Sequence, residues 1–224
     1  SKAPASHEGP LHCNGPSFFA FAGEDGVMTE TATRPQPAPA LRSWRRTAVA
    51  PLAVAVLAFA IAVAGIGIPS IWYEEAAPIT STTRTWSQLW GELGNVDAVH
   101  GLYYALMHVI FDVVGYSPVA LRLPSAVAVA AAAAFTVVLG RQLGSARLGL
   151  VAGIVFAVLP RVTWAGTEGR SYALTALLAV VVTVMFLRAQ QGAQRRWWVL
   201  YSALALLSVT LFIYLALVLL AHGV

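Results

Sequence analysis

The feature that most constrains this chain is a series of long apolar runs separated by short polar links, beginning just after Arg45. A helix needs about 20 predominantly apolar residues to cross a bilayer. Runs near that length lie at about Thr47 to Pro69, Pro118 to Leu139, Leu148 to Trp164, Ser171 to Leu187 and Trp197 to Leu220. Each is too long and too rich in Ala, Val and Leu for an ordinary amphipathic helix. Composition agrees: only 11% of the 224 residues are charged and 58% are hydrophobic. A soluble domain carries roughly 25% charged residues. These values exclude a soluble enzyme and a disordered protein. The expected fold class is an all-α polytopic membrane protein with about five transmembrane helices.

Residues 1–43 are a different material, rich in Pro, Ser, Ala and Gly without an apolar period. They are expected to form a disordered cytoplasmic tail. Within it, Met28-Thr29-Glu30 reads as a start, which would make 1–27 a start-site artefact. Residues 44–224 are then the membrane domain. The only cysteine, Cys13, rules out an intrachain disulfide. The net charge of +4 is spread in short clumps between apolar runs, so no nucleic-acid partner is expected.

The stretch Leu102 to Val114 is long enough for a helix and short for a span. The positive-inside rule decides between the two. If it does not span, the links with Arg141/Arg147 and Arg188/Arg195/Arg196 fall on the side of Arg42/Arg45/Arg46. The link from about Ser70 to Ser117, with Glu74, Glu75, Glu92, Asp97 and Asp112, then falls opposite. Leu102 to Val114 is accordingly expected to lie at the outer interface as an amphipathic helix. The expected location is the plasma (inner) membrane, with the N-terminus cytoplasmic and the active face extracytoplasmic. The Ala130–Ala134 run is expected to permit close helix packing.

The outer side collects the polar residues. Glu74 and Glu75 stand together directly after the first run, where like charge and desolvation should raise at least one pKa. Such a pair suits a general base or a cation site, Glu75 being the candidate metal ligand. The alternative is an interfacial Trp/Tyr belt with two solvated acids. Asp97 and His100 read as an oriented base, as a ligand pair, or as a helix cap with a solvent-facing histidine. His108 and Asp112, four apart, read as a metal pair or as a helix-face contact. Arg122, Arg161 and Arg170 suit a phosphate, through forked charge-assisted hydrogen bonds. Snorkelling to headgroups or an Arg170–Glu168 pair are the plainer readings.

These residues lie in ordered blocks. They are Trp72-Tyr73-Glu74-Glu75-Ala76, the segment from His100 to His108 with Tyr103 and Tyr104, the segment from Gly115 to Ser125 with Arg122, and Glu168-Gly169-Arg170-Ser171-Tyr172. In that order and spacing they resemble the N-terminal half of GT-C glycosyltransferases of the family 39, protein-mannosyltransferase-like type. The resemblance runs from about Trp44 to Leu187. It implies a polyprenyl-phosphate-linked sugar as donor and a glycan or protein as acceptor, with transfer on the outer face. It implies Glu74 and Glu75 as the catalytic acid pair, with Glu74 where the family has a catalytic Asp. Arg122, Arg170 and Tyr172 are the implied substrate-binding positions; Asp97, His100, Tyr103 and Glu168, on the same outer side, are expected to bind substrate with them. No cofactor is implied with certainty; a divalent cation is one option. The family continues through further spans and an outer domain, so the chain is expected to be a truncated form. A partner chain supplying the missing half is one expectation. A non-catalytic subunit binding a lipid-phosphate or a helix bundle is the alternative from another class. A transporter fits less well, because the charges sit at helix ends and not near the midplane.

Overall fold

A computed structural model describes residues 44–192 and 194–223. The expected tail, with Cys13 and Met28, lies outside the described residues, as do the side chains of Arg45 and Arg46. Among the described residues every regular element is a helix.

The first apolar run forms α1, Trp44–Ala64. The link after it holds three short helices: α2 (Tyr73–Thr82), α3 (Trp86–Leu93) and α4 (Gly101–Val114), the last entered through a tight helical turn at Ala98–His100. Then come α5 (Pro118–Leu143), α6 (Ala146–Val158), α7 (Pro160–Gly166), α8 (Tyr172–Gln191), α9 (Arg195–Leu211) and α10 (Ala216–His222). Local chemistry sets several starts. Ser117 and Ser145 accept from the N–H groups of Ala120 and Leu148, and Thr85 with Gln88 forms a capping box. Pro118 and Pro160 each occupy a first helical turn, where a missing N–H costs nothing.

Two helices, α5 and α8, are long and apolar enough to cross a membrane. The expected third run is not straight. It breaks at Leu159, whose backbone is extended, and α6 and α7 meet at 64°. Pro160 is the cause, since it disfavours helical geometry in the residue before it. Taken together, that bent pair would make a third crossing. The apolar stretch of α1 over Ala48–Ala64 is shorter. At 14 residues α4 is also short, about 21 Å long against an apolar core of about 30 Å.

The expected fifth run is not one helix either. It stops at Phe212, which is extended, and the chain turns back. Phe212 packs its ring 6.1 Å from His100, whereas His222 stacks on Phe186 at 4.5 Å and lies 5.8 Å from Tyr201. Ten residues therefore retrace most of α9. The last turns of α9 carry a signal for the break. Ser208 and Thr210 bond back to the carbonyls of Leu204 and Leu206, a habit that weakens and bends helices.

The centre of the bundle is α5, which packs against α1, α6 and α8. Its contact stripe is nearly all small: Ala128, Ala132, Ala133 and Val137 are buried, with Val54 and Ala58 of α1 and Ala157 of α6 against them. Small side chains bring the backbones close. The α5 and α6 backbones come close at Gly140 and Gly149, where a Cβ on Gly140 would fall 2.7 Å from the Cα of Gly149. A Cβ on Gly149 would meet the Val137 carbonyl oxygen, which cannot swing aside. Gly149→Ala should therefore destabilise the bundle by about 1–3 kcal/mol, read as a lower melting temperature in detergent. An unchanged melt would mean that α5 and α6 do not meet here.

Candidate functional site

The polar residues expected on one side gather at one end of the bundle: the end of α1, the start of α2, the start of α5 and the link between α7 and α8. Arg122, in the second turn of α5, is the hub, with 1% of its surface exposed. Its Nε donates to Glu75 Oε1 at 2.8 Å and its Nη2 to Oε2 at 2.6 Å. Nη1 donates to the carbonyls of Ile66 and Pro69, both at 2.9 Å, and Nη2 also reaches Ser70 O at 3.3 Å. A guanidinium has five N–H groups, and all are used. Glu75, fully buried, also accepts from the Gly169 N–H at 2.8 Å.

This arrangement separates the two adjacent acids. Glu75 is committed to Arg122 and Gly169 and has little left for a cation. Among the described residues, no three His, Cys, Asp or Glu side chains gather as a metal site. Arg122 likewise has no N–H left for a phosphate. Glu74 points elsewhere and keeps 39% of its side chain exposed. The Tyr172 hydroxyl donates to its Oε2 at 3.1 Å, and Arg170 Nη2 stands 3.7 Å from the same oxygen. Arg170 thus pairs with Glu74 and not with Glu168. Its Nε, although buried, has no hydrogen-bond partner.

Asp97 sits in the left-handed region, φ 61°, at the turn before α4. It does not cap the turn. Its carboxylate takes His100 Nδ1 at 2.6 Å and the Tyr104 hydroxyl in a short hydrogen bond. Burial opposes the Asp97 charge, but these two hydrogen bonds and the nearby His100 and Arg170 hold its pKa below the usual carboxylate value. Tyr103 is buried in the same cluster, with its hydroxyl unpartnered. Tyr104 joins the site although only Tyr103 is expected there; its spacing of four from His100 places both on one helix face. His108 turns away from this end. Its Nδ1 meets the Thr82 carbonyl oxygen at 2.7 Å and its Nε2 lies 3.8 Å from Asp112, so it ties α4 to the end of α2.

Glu168 occupies the link between α7 and α8 and is 3% exposed. Neither carboxyl oxygen has a partner. Burial pushes its pKa up to about 7, the charges of Glu74 and Glu75 add to this, and Arg170 and Arg161 partly offset it. Glu168 lines a cavity of about 300 Å³ with Pro69, Ser70, Trp72, Glu75, Arg122, Trp164 and Thr167. Outside it, Arg161 lies 4.3 Å over the Trp164 ring, which stacks on Tyr172 at 5.8 Å and meets Trp72 edge-on at 6.1 Å. Nothing in the sequence beyond an aromatic at a span end marks Trp164 as part of the site.

Compared with protein-family models, curated proteins and solved structures, the chain matches none of them.

Two outcomes test this geometry. Arg122→Leu leaves the Glu75 charge buried and unpaired, and should cost about 3–5 kcal/mol, seen as loss of folded protein. Glu168 has a folded-state pKa raised above its ordinary 4.5. Its contribution to stability is therefore complete below that value and is lost as pH rises through about 7. The melting temperature should fall between pH 5 and pH 8, and Glu168→Gln should flatten that slope. A slope unchanged by the substitution would remove Glu168 as its source.

Proposed function

We propose that this chain is a polyprenyl-phosphate-sugar-dependent glycosyltransferase of the GT-C type, mannosyltransferase-like, acting on the extracytoplasmic face of a plasma membrane. On this reading α1, α5, the α6–α7 pair, α8 and α9 carry the chain across in turn, with the basic links inside and the α2–α4 segment outside. The observation that carries it is the pairing of a half-exposed carboxylate, Glu74, with Arg170, whose buried Nε has no partner in the chain. A base has to reach the acceptor hydroxyl, and a fixed cation has to meet charge that develops on the leaving phosphate. Glu74 takes the hydroxyl proton as the acceptor oxygen attacks the anomeric carbon. The sugar–phosphate bond breaks, and its electron pair stays on the lipid phosphate beside Arg170. Glu75 and Arg122 hold both groups in place without touching substrate. The order of the sequence blocks supports the same reading.

A second reading is favoured by one contact. The Tyr172 hydroxyl donates to Glu74 Oε2 and so occupies a carboxylate oxygen that a catalytic base would need free. That suits a non-catalytic chain that binds a lipid-phosphate beside Arg170.

The assay is sugar transfer in membranes supplied with a polyprenyl-phosphate sugar. Glu74→Gln should lower turnover about 10²-fold or more with protein level and donor binding unchanged. Arg170→Ala should weaken donor binding. Transfer that survives Glu74→Gln would remove Glu74 as the base. Donor binding that depends on Arg170, with no turnover in the unaltered chain, would establish the second reading.

A further inference from the structure

The far end of α8 carries charge of one sign. At 20 residues α8 is about 30 Å long, so its last turn lies a bilayer core's thickness from Glu168 and Arg170. Sequence from Gly169 to Val224 holds no Asp or Glu. Among the described residues every carboxylate side chain belongs to the α2–α4 segment or to the α7–α8 link. Arg188 and Arg196 nevertheless meet in one open cleft of about 530 Å³, lined also by Gln191, Gly192 and Trp197. Their guanidinium carbons lie 5.5 Å and 5.2 Å from the centre of the Trp197 ring, so one indole gathers both cations. Neither guanidinium makes a hydrogen bond or an ion pair among the described residues. Arg196 is exposed, and the nitrogens of the half-buried Arg188 are not closed off from solvent. Arg122 is the opposite case, since each of its N–H groups is spent inside the chain. Two cations in one cleft without a counter-charge repel each other, and a bound anion relieves that cost.

We propose that the cleft of Arg188 and Arg196 at the α8–α9 link binds the phosphodiester headgroup of an anionic phospholipid. A guanidinium fork donates paired N–H groups to phosphate oxygens, and such charge-assisted bonds are the strong ones. Free phosphate shares this chemistry, but a second feature points to a lipid. Trp198, Val199 and Leu200 follow directly in α9 and are exposed, so apolar surface begins beside the cations. Acyl chains can lie along that surface, which inorganic phosphate cannot use. The cleft also stands at the end of α8, a helix long and apolar enough to cross a membrane, where headgroups are found. A choline lipid carries the same phosphate beside a fixed cation, which the two arginines repel, so the cleft favours headgroups of net negative charge. The inference does not rest on the transferase reading, because it uses neither Glu74 nor Arg170 and holds for either orientation of the chain.

The test is native mass spectrometry of the full chain in detergent, titrated with phosphatidylglycerol or with phosphatidylcholine of the same acyl chains. Saturable binding of phosphatidylglycerol is expected, about tenfold or more tighter than that of phosphatidylcholine. Arg196→Gln should weaken phosphatidylglycerol by about the same factor and leave phosphatidylcholine unchanged. Arg147→Gln removes one exposed charge from the start of α6, outside the cleft, and should leave both lipids unchanged. Should Arg196→Gln not fold, the unaltered chain still decides through its preference between the two lipids. Competition with inorganic phosphate separates the sources: the lipid should stay bound at millimolar phosphate. Equal binding of the two lipids, equal weakening by Arg147→Gln and Arg196→Gln, or displacement of the lipid by millimolar phosphate would each overturn the proposal.

Discussion

The buried ion pair between Glu75 and Arg122 is the interaction on which this end of the molecule depends. It joins four separate pieces of chain. Arg122 comes from α5, Glu75 from α2, the carbonyls of Ile66, Pro69 and Ser70 from the end of α1, and the Gly169 N–H from the link before α8. Desolvating two charges is expensive, and a buried pair is weak evidence for stability in itself. Here each donor of the guanidinium is met, which is the condition under which burial is tolerated. The pair thereby ties the segment after α1, the start of α2, the start of α5 and the link before α8 to one another.

That tie gives two adjacent acids different environments. Consecutive helix residues point about 100° apart, so when Glu75 enters the bundle Glu74 must face outward. Glu74 meets only Tyr172 and Arg170 and stays half-exposed. Adjacent carboxylates at one backbone site therefore do not form a shared pair. Their charges act instead on Glu168, which is buried near both and has no cation of its own at bonding distance.

Much of the helical architecture was legible from hydropathy, because run length alone separates a membrane helix from a surface helix. The α5 and α8 helices follow it closely, and the Ala130–Ala134 stretch sits where the backbones approach. Where the structure departs, local backbone chemistry outweighs apolar length. Leu159-Pro160 bends the third run although its two halves together are apolar enough to cross, and Phe212 ends the fifth. The site was legible as a set of residues and not as a set of pairs. Spacing brought Glu74, Glu75, Arg122, Glu168 and Arg170 to one end. It could not say that Arg122 would be consumed by Glu75, or that Arg170 would face Glu74 and not Glu168, since those choices depend on which way the α7–α8 link crosses α2. Tyr104 stands in the same sequence block as the equally aromatic Tyr103, and only its contact with Asp97 marks it as a site residue.

The reversal at Phe212 also bears on His100. The imidazole lies 6.0 Å from the Tyr104 ring and 6.1 Å from the Phe212 ring. Its Nδ1 is 2.6 Å from Asp97, a carboxylate kept ionised and therefore able only to accept. The proton of the neutral ring must then reside on Nδ1. The tautomer of His100 is thereby set by Asp97, three residues before it, and its Nε2 is left as a lone pair.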